Sequence, residues 1–273
     1  MRLAATILSN SCFMKLKNHN VSPTIYAVAG AVWLSVCGAV GAATIFSDVF
    51  STDVTGTYAS GDTKTYDGVN EDMNIVQTAT ADATTKTFSA VTLANTGDYL
   101  ELTFDLSYNT YTGGGMRYGF FRSDGNGYAG NIGTPGGSGS AGSSGFVQDA
   151  FGVNGAGTFV PTGWSNVSTG MDADTAQTML LRITRNASDG LDLLATWSTS
   201  NNGVSVTTLN HTVGVGDLSA GGYVFDRIAF VSNNGGTGWD YDVDNVTVTT
   251  NIPEPGSLVL LAMSGLLALR RRR

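Results

Sequence analysis

Between Asp98 and Ser107 the chain reads DYLELTFDLS, and its alternation is strict. Leu100, Leu102, Phe104 and Leu106 fall on one side of an extended backbone; Glu101, Thr103 and Asp105 fall on the other. A strand with one face in a core and one in water fits that pattern, which points to antiparallel sheet. The same reading holds for Met116 to Ser123 (MRYGFFRS), Thr178 to Asn186 (TMLLRITRN) and Leu191 to Ser198 (LDLLATWS). It extends to Val204 to Val213, Tyr223 to Ser232 (YVFDRIAFVS) and Tyr241 to Thr249, with Thr84 to Leu93 a weaker instance. Asn186 to Gly190 (NASDG) joins two of these as a hairpin, Asp189 and Gly190 being the residues that tolerate positive φ. Roughly eight to twelve short strands between polar turns, without long helical periodicity or a fixed repeat, predict a β-sandwich. The expected fold is therefore all-β, a single antiparallel sandwich domain over residues 43–251. Thr134 to Gly145 (TPGGSGSAGSSG) is low-complexity and reads as a surface loop inserted within that domain.

Charge divides the chain into three. Residues 1–42 carry Arg2, Lys15 and Lys17 and no acid, and residues 253–273 carry four Arg and Glu254. Each end is thus +3, and the net charge of −8 leaves −14 on the body. Such a body is unsuited to nucleic acid, which demands clustered Lys and Arg, and it is repelled by anionic lipid heads. It suits solubility, cation binding or contact with neutral polymers. Both cysteines, Cys12 and Cys37, lie in the leader, so a processed body holds no disulfide, thiolate metal site or cysteine nucleophile.

The leader has the three parts of a secretory signal peptide. Lys15 and Lys17 form the basic region, Ile25 to Val40 the apolar run, and Val40-Gly41-Ala42 a small-residue cleavage site. The 13 residues before Met14 add nothing to this layout, so Met14 is a candidate for the true start. At the other end, residues 252–273 read IPEPGSLVLLAMSGLLALRRRR. The charge-free stretch Ser257 to Leu269 would make a helix of about 20 Å, short of a bilayer core of about 30 Å. Its terminal arginines belong on the cytoplasmic side and leave the body outside. A signal helix and a hydrophobic C-terminal helix are therefore expected to flank the sandwich.

Pro253-Glu254-Pro255, a short apolar segment and then Arg270, Arg271, Arg272 and Arg273 closely resemble the bacterial PEP-CTERM sorting signal. The resemblance implies handling by exosortase, a membrane-embedded transpeptidase-like enzyme. It also implies an inner-membrane-tethered intermediate and delivery to the cell surface or extracellular space, often alongside exopolysaccharide. In the body, TGDYLELTFDL early and DYDVDNVTVT last resemble jelly-roll sandwiches of the concanavalin and laminin-G type.

Chemistry is sparse. His211 is the one histidine of the body, and no nucleophile elbow accompanies it. Glu71 and Glu101 are its only glutamates, so the Glu-x-Asp-x-x-Glu strand of sandwich glucanases cannot be assembled. Asp240, Asp242 and Asp244 alternate and would point to one face about 7 Å apart. They are tolerable either solvated or gathered on a hard cation such as Ca²⁺. Val246 and Val248 share their parity, so the regular strand is expected to begin near Asn245, with Asp240 to Asp244 in a loop or bulge. Trp164 and Trp239, in glycine-rich surroundings, and Tyr241 are candidate sugar-stacking faces. The expectation is an exported, non-catalytic surface or matrix protein that contacts extracellular polysaccharide. A carbohydrate-active enzyme of sandwich fold and a purely structural surface protein stand as alternatives.

Overall fold

The computed structural model describes residues 42–78, 83–110, 115–133, 145–150, 177–199, 207–213, 223–233 and 239–252. The two expected terminal helices and most of the Gly/Ser-rich loop lie outside them. Among the described residues no helix is long and apolar enough to cross a membrane.

Among the described residues, fourteen strands form two antiparallel sheets. The first six are β1 (Ala43–Asp48), β2 (Ala59–Ser60), β3 (Thr63–Asp67), β4 (Asp72–Val76), β5 (Ala83–Thr92) and β6 (Tyr99–Thr110). Then come β7 (Gly115–Phe121), β8 (Asn126–Gly133), β9 (Gly145–Ala150) and β10 (Gln177–Arg185). The last are β11 (Leu191–Thr199), β12 (Thr207–Val213), β13 (Val224–Asn233) and β14 (Asp240–Thr250). One sheet has the order β12-β11-β10-β6-β14-β4-β3, and β1 also pairs with β14. The other has the order β2-β5-β13-β7-β8-β9. One edge of β14 is shared: Asp240 to Val243 face β4, while Val246 to Thr250 face β1.

Alternation places the core as expected. Leu100, Leu102, Phe104, Leu106 and Tyr108 of β6 are buried, as are Met179, Leu181 and Ile183 of β10. Phe104 meets Tyr118 and Phe230 of the opposite sheet edge-on, with ring centroids at 5.1 and 4.9 Å. Each such buried aromatic stabilises the fold by about 1.5–3 kcal/mol relative to exposure. The Asn186 to Gly190 turn closes β10 onto β11, and Asp189 takes the positive φ of 60° there.

The second sheet departs from the half-buried pattern. Met116 to Phe121 of β7 are buried without alternation, and Phe121, Ala129, Ala229 and Val231 cluster on the face turned away from the main core. The residues between are small because β7 and β8 crowd each other. A Cβ on Gly119 would run into the Tyr128 carbonyl oxygen, and one on Gly127 into that of Phe120. This crowding explains why β8 (NGYAGNIG) is not legible as a strand: glycine replaces its apolar beats. Strands β1 to β4 are short and polar on one side, and they too carry too few alternating residues to stand out. β8 and β9 pair directly, Asn131 opposite Gly145, so the Gly/Ser-rich segment connects neighbouring strands of one sheet.

Candidate functional site

The expected loop at Asp240 to Asp244 is strand. β14 begins at Asp240 and pairs on both sides from there, with Tyr241 and Val243 inward and the three aspartates outward. The phase change lies one residue later. Asn245 adopts φ 52°, and the register against β6 shifts between Asp244 and Thr247, a bulge that turns Val246 and Val248 back inward. Asparagine accepts the left-handed conformation more readily than other side chains, which is why the bulge sits there.

Around the aspartates lies a row of amides and hydroxyls from neighbouring strands. Asn74 of β4 donates to Asp240 at 2.6 Å and to Asp242 at 2.8 Å. Asn109 of β6 donates to Asp240 at 3.2 Å and to Asp242 at 2.9 Å from the other side. Asp244 stands directly opposite Asp105. The Asn245 amide relieves that pair by donating to both, at 3.0 and 2.8 Å, and Thr178 adds a bond to Asp105 at 2.7 Å. Sequence reasoning missed Asn74, Asn109 and Thr178 because each comes from another strand, and cross-strand position is not written in local periodicity.

Where carboxylates outnumber donors, protons are held more tightly. Desolvation, followed by the charges of Asp242, Asp67 and Asp244, pushes Asp72 up to about 6. Desolvation also raises Asp244, with Asp105 and Glu71 adding to it against the backbone bond from Asn245. Among the described residues no group of three or more His, Cys, Asp or Glu converges as a metal would require. Asp240, Asp242 and Asp244 are thus an extended row answered by asparagine amides, and they are not brought together as a calcium ligand set.

Two of the three aromatic candidates are corrected by burial. Trp239 is fully buried and packs edge-on against Tyr108 at 5.3 Å, while its carbonyl accepts the Gln77 N–H at 2.8 Å. Tyr241 is also fully buried, and burial raises its phenol well above the ordinary value. Neither ring presents a face to a sugar. The physical reason is the parity of β14, which turns odd-numbered positions before the bulge into the core. Trp164 lies outside the described residues. His211 falls on β12 opposite Leu193, away from the acid row in the sheet order. Glu101 is engaged by Arg182, whose Nε donates at 2.7 Å while its guanidinium covers the Tyr99 ring.

The chain is held firmly up to the start of the sorting tripeptide. Asn251 accepts the Tyr99 N–H at 2.9 Å and donates to the Gly97 carbonyl at 2.9 Å. Thr250 Oγ1 donates to the Tyr99 carbonyl and accepts the Ile252 N–H, and Ile252 packs on the core. The residues of the tripeptide itself, Pro253, Glu254 and Pro255, and Arg270 to Arg273 lie outside the described set.

The architecture is that of a two-sheet antiparallel sandwich. It is similar to the seed lectin of Lotus tetragonolobus, with a TM-score of 0.47 and 9% identity over 78% of this chain and 100% of the lectin. It is similar to peanut lectin bound to a nonamer peptide, with a TM-score of 0.45 and 11% identity over 77% and 97%. Alginate lyase Aly36B, as a mutant in complex with alginate tetrasaccharide, gives 0.45 and 14% over 76% and 96%. No curated protein matches the chain in sequence. Residues 251–273 match the PEP-CTERM protein-sorting motif, and that motif implies an exported, surface-sorted protein processed by exosortase.

Proposed function

We propose that this chain is a non-catalytic component of the cell surface or extracellular matrix, exported through its leader and sorted through its tail, that contacts neutral polysaccharide. The sorting motif at residues 251–273 carries the reading, because it sets the destination. What supports a non-catalytic body is how Asp48, Glu101 and the β14 row are engaged. Asp48 is held by Lys86, Glu101 by Arg182, and the row on β14 by Asn74, Asn109 and Asn245. A general acid or nucleophile has to be free to exchange a proton or attack, and these groups are anchored along a flat strand surface. With Trp239 and Tyr241 in the core, polysaccharide contact rests on the amide–carboxylate surface of the first sheet, whose groups can satisfy sugar hydroxyls.

Two measurements on the secreted protein test this. Binding to a panel of neutral and acidic glycans without release of reducing or unsaturated ends is the expected outcome. Turnover of any glycan, abolished by one Asp substitution, would overturn the non-catalytic reading in favour of a carbohydrate-active enzyme. Surface delivery that survives Glu254→Ala would overturn the sorting reading.

A further inference from the structure

The two ends of the chain that meet the membrane leave the sandwich side by side. Ala43, the first residue after the expected leader cleavage site, pairs with Thr250 at the end of β14. The same end of that sheet carries the start of β6, where Leu100 also pairs with Thr250, and the end of β10, where Thr184 pairs with Tyr99. Two turns therefore crown this end: residues 94–98 before β6 and residues 186–190 after β10. They are fastened to each other, since Gly97 donates to the Arg185 carbonyl and Arg185 to the Asp98 carbonyl, both at 2.8 Å. Asn251 is tied to the first of them through Gly97 and Tyr99.

Chain length adds a constraint. Ile252 is packed on the core, only two residues before Glu254, and at about 3.6 Å per residue at most, two residues of chain reach about 7 Å. An enzyme that grips the tripeptide must come into contact with the folded body at this end. We propose that the turns at 94–98 and 186–190 form the landing surface for the membrane-embedded sorting enzyme, so that the folded body is read together with the tail. The proposal rests on the tail being a sorting signal. The partner is a protein surface and not the lipid, because the body carries −14 and anionic head groups repel it. The surface is polar and compact: Asn95, Thr96, Ala187 and Ser188 are outward, and the backbone N–H groups of Asn95 and Ser188 are held by Asp98 and Asn186.

The test follows processing of the full chain in cells that contain the sorting enzyme, by the loss of the tail over time and by surface delivery. Thr96→Arg with Ala187→Arg places two long side chains on the landing surface without touching a core residue. Processing should slow about tenfold, a barrier change of about 1.4 kcal/mol. A flexible spacer of about eight Gly/Ser residues between Ile252 and Pro253 should restore it to within about twofold, because the enzyme then works clear of the body. The uncharged pair Thr96→Gln and Ala187→Gln gives the same direction if arginine disturbs the turns, with an unchanged urea midpoint as the control for folding. Processing of both pairs at the wild-type rate would overturn the proposal, and faster processing of the arginine pair would indicate lipid contact instead. Glu254→Ala separates the two readings: if it is processed normally the sorting signal itself is misread, whereas if it fails and the turn variants do not slow, only the landing surface is wrong.

Discussion

Lys86 is the cation on which the two sheets depend at the N-terminal strand. It stands on β5 and reaches across to Asp48 at the end of β1. Its ammonium also donates to Thr57 at 3.0 Å and lies 5.0 Å from the Phe46 ring centroid and 4.8 Å from that of Tyr58. Tyr58 donates to the same Asp48 oxygen at 2.7 Å, and burial followed by that bond drives its phenol far above the ordinary value. The Lys86 and Asp48 side chains are 13% and 12% exposed, so the pair is nearly dry. Removing one member of a buried pair strands the other and costs about 3–5 kcal/mol, and the residual exposure places Lys86→Met near 3 kcal/mol, at the low end of about that range. Asp48→Asn should cost about 2 kcal/mol, because the lysine keeps Thr57 and the two rings. In the double variant the amide oxygen introduced in place of the Asp48 carboxylate still accepts the Tyr58 proton, and methionine fills the slot between the rings. It should therefore cost about 2 kcal/mol, well below the additive value of about 5. With a urea slope of about 2 kcal/mol/M, Lys86→Met lowers the midpoint by about 1.5 M and the double variant by about 1 M. Equilibrium urea denaturation of the secreted body, followed by tryptophan fluorescence, reads both. A shift below about 0.5 M for Lys86→Met, or additive single changes, would refute the account.

Three further outcomes follow from the same geometry. Asp72 binds its proton more tightly folded than unfolded, so its contribution is fully present below the unfolded value of 3.8 and is lost as pH rises through about 6; thermal melts from about pH 4 to 7 should show a shallower fall for Asp72→Asn than for the wild type, and parallel curves would contradict this. Gly119→Ala forces a methyl onto the Tyr128 carbonyl between β7 and β8 and should cost about 3 kcal/mol, visible as a melting-point drop that Thr87→Ala on β5, beyond β13 in the same sheet, does not share. At the bulge, Asn245→Gly keeps the φ of 52° but loses the amide between Asp105 and Asp244 and should cost about 1 kcal/mol, whereas Asn245→Val loses the amide and is also strained there and should cost about 2 kcal/mol; equal midpoints for wild type and both variants would show that the bulge is not held by that residue.

What the sequence showed and what it hid divide along a physical line. The strands β6, β10 and β11 were legible because alternation is local: each apolar side chain two residues from the next reports the same buried face. β8 was not, because close contact with β7 replaced its apolar positions by glycine. The carboxylates on β14 were visible as a row, but their partners Asn74 and Asn109 were not, because each reaches the row through strand pairing. Trp239 and Tyr241 looked exposed from their glycine- and aspartate-rich neighbours, and packing against Tyr108 and the β6 wall put them inside.

By itself the sequence determined the class of fold, the acidic character of the body and the tail that addresses it, since periodicity, charge and a short linear motif are all properties of consecutive residues. The tertiary structure alone decided that Ala43 lies beside Thr250, that Lys86 joins β5 to β1, and that Asp240 to Asp244 belong to β14 and not to a loop. Those facts depend on contacts between residues distant in the chain, where the free energy of burial chooses among many pairings that local pattern leaves equal.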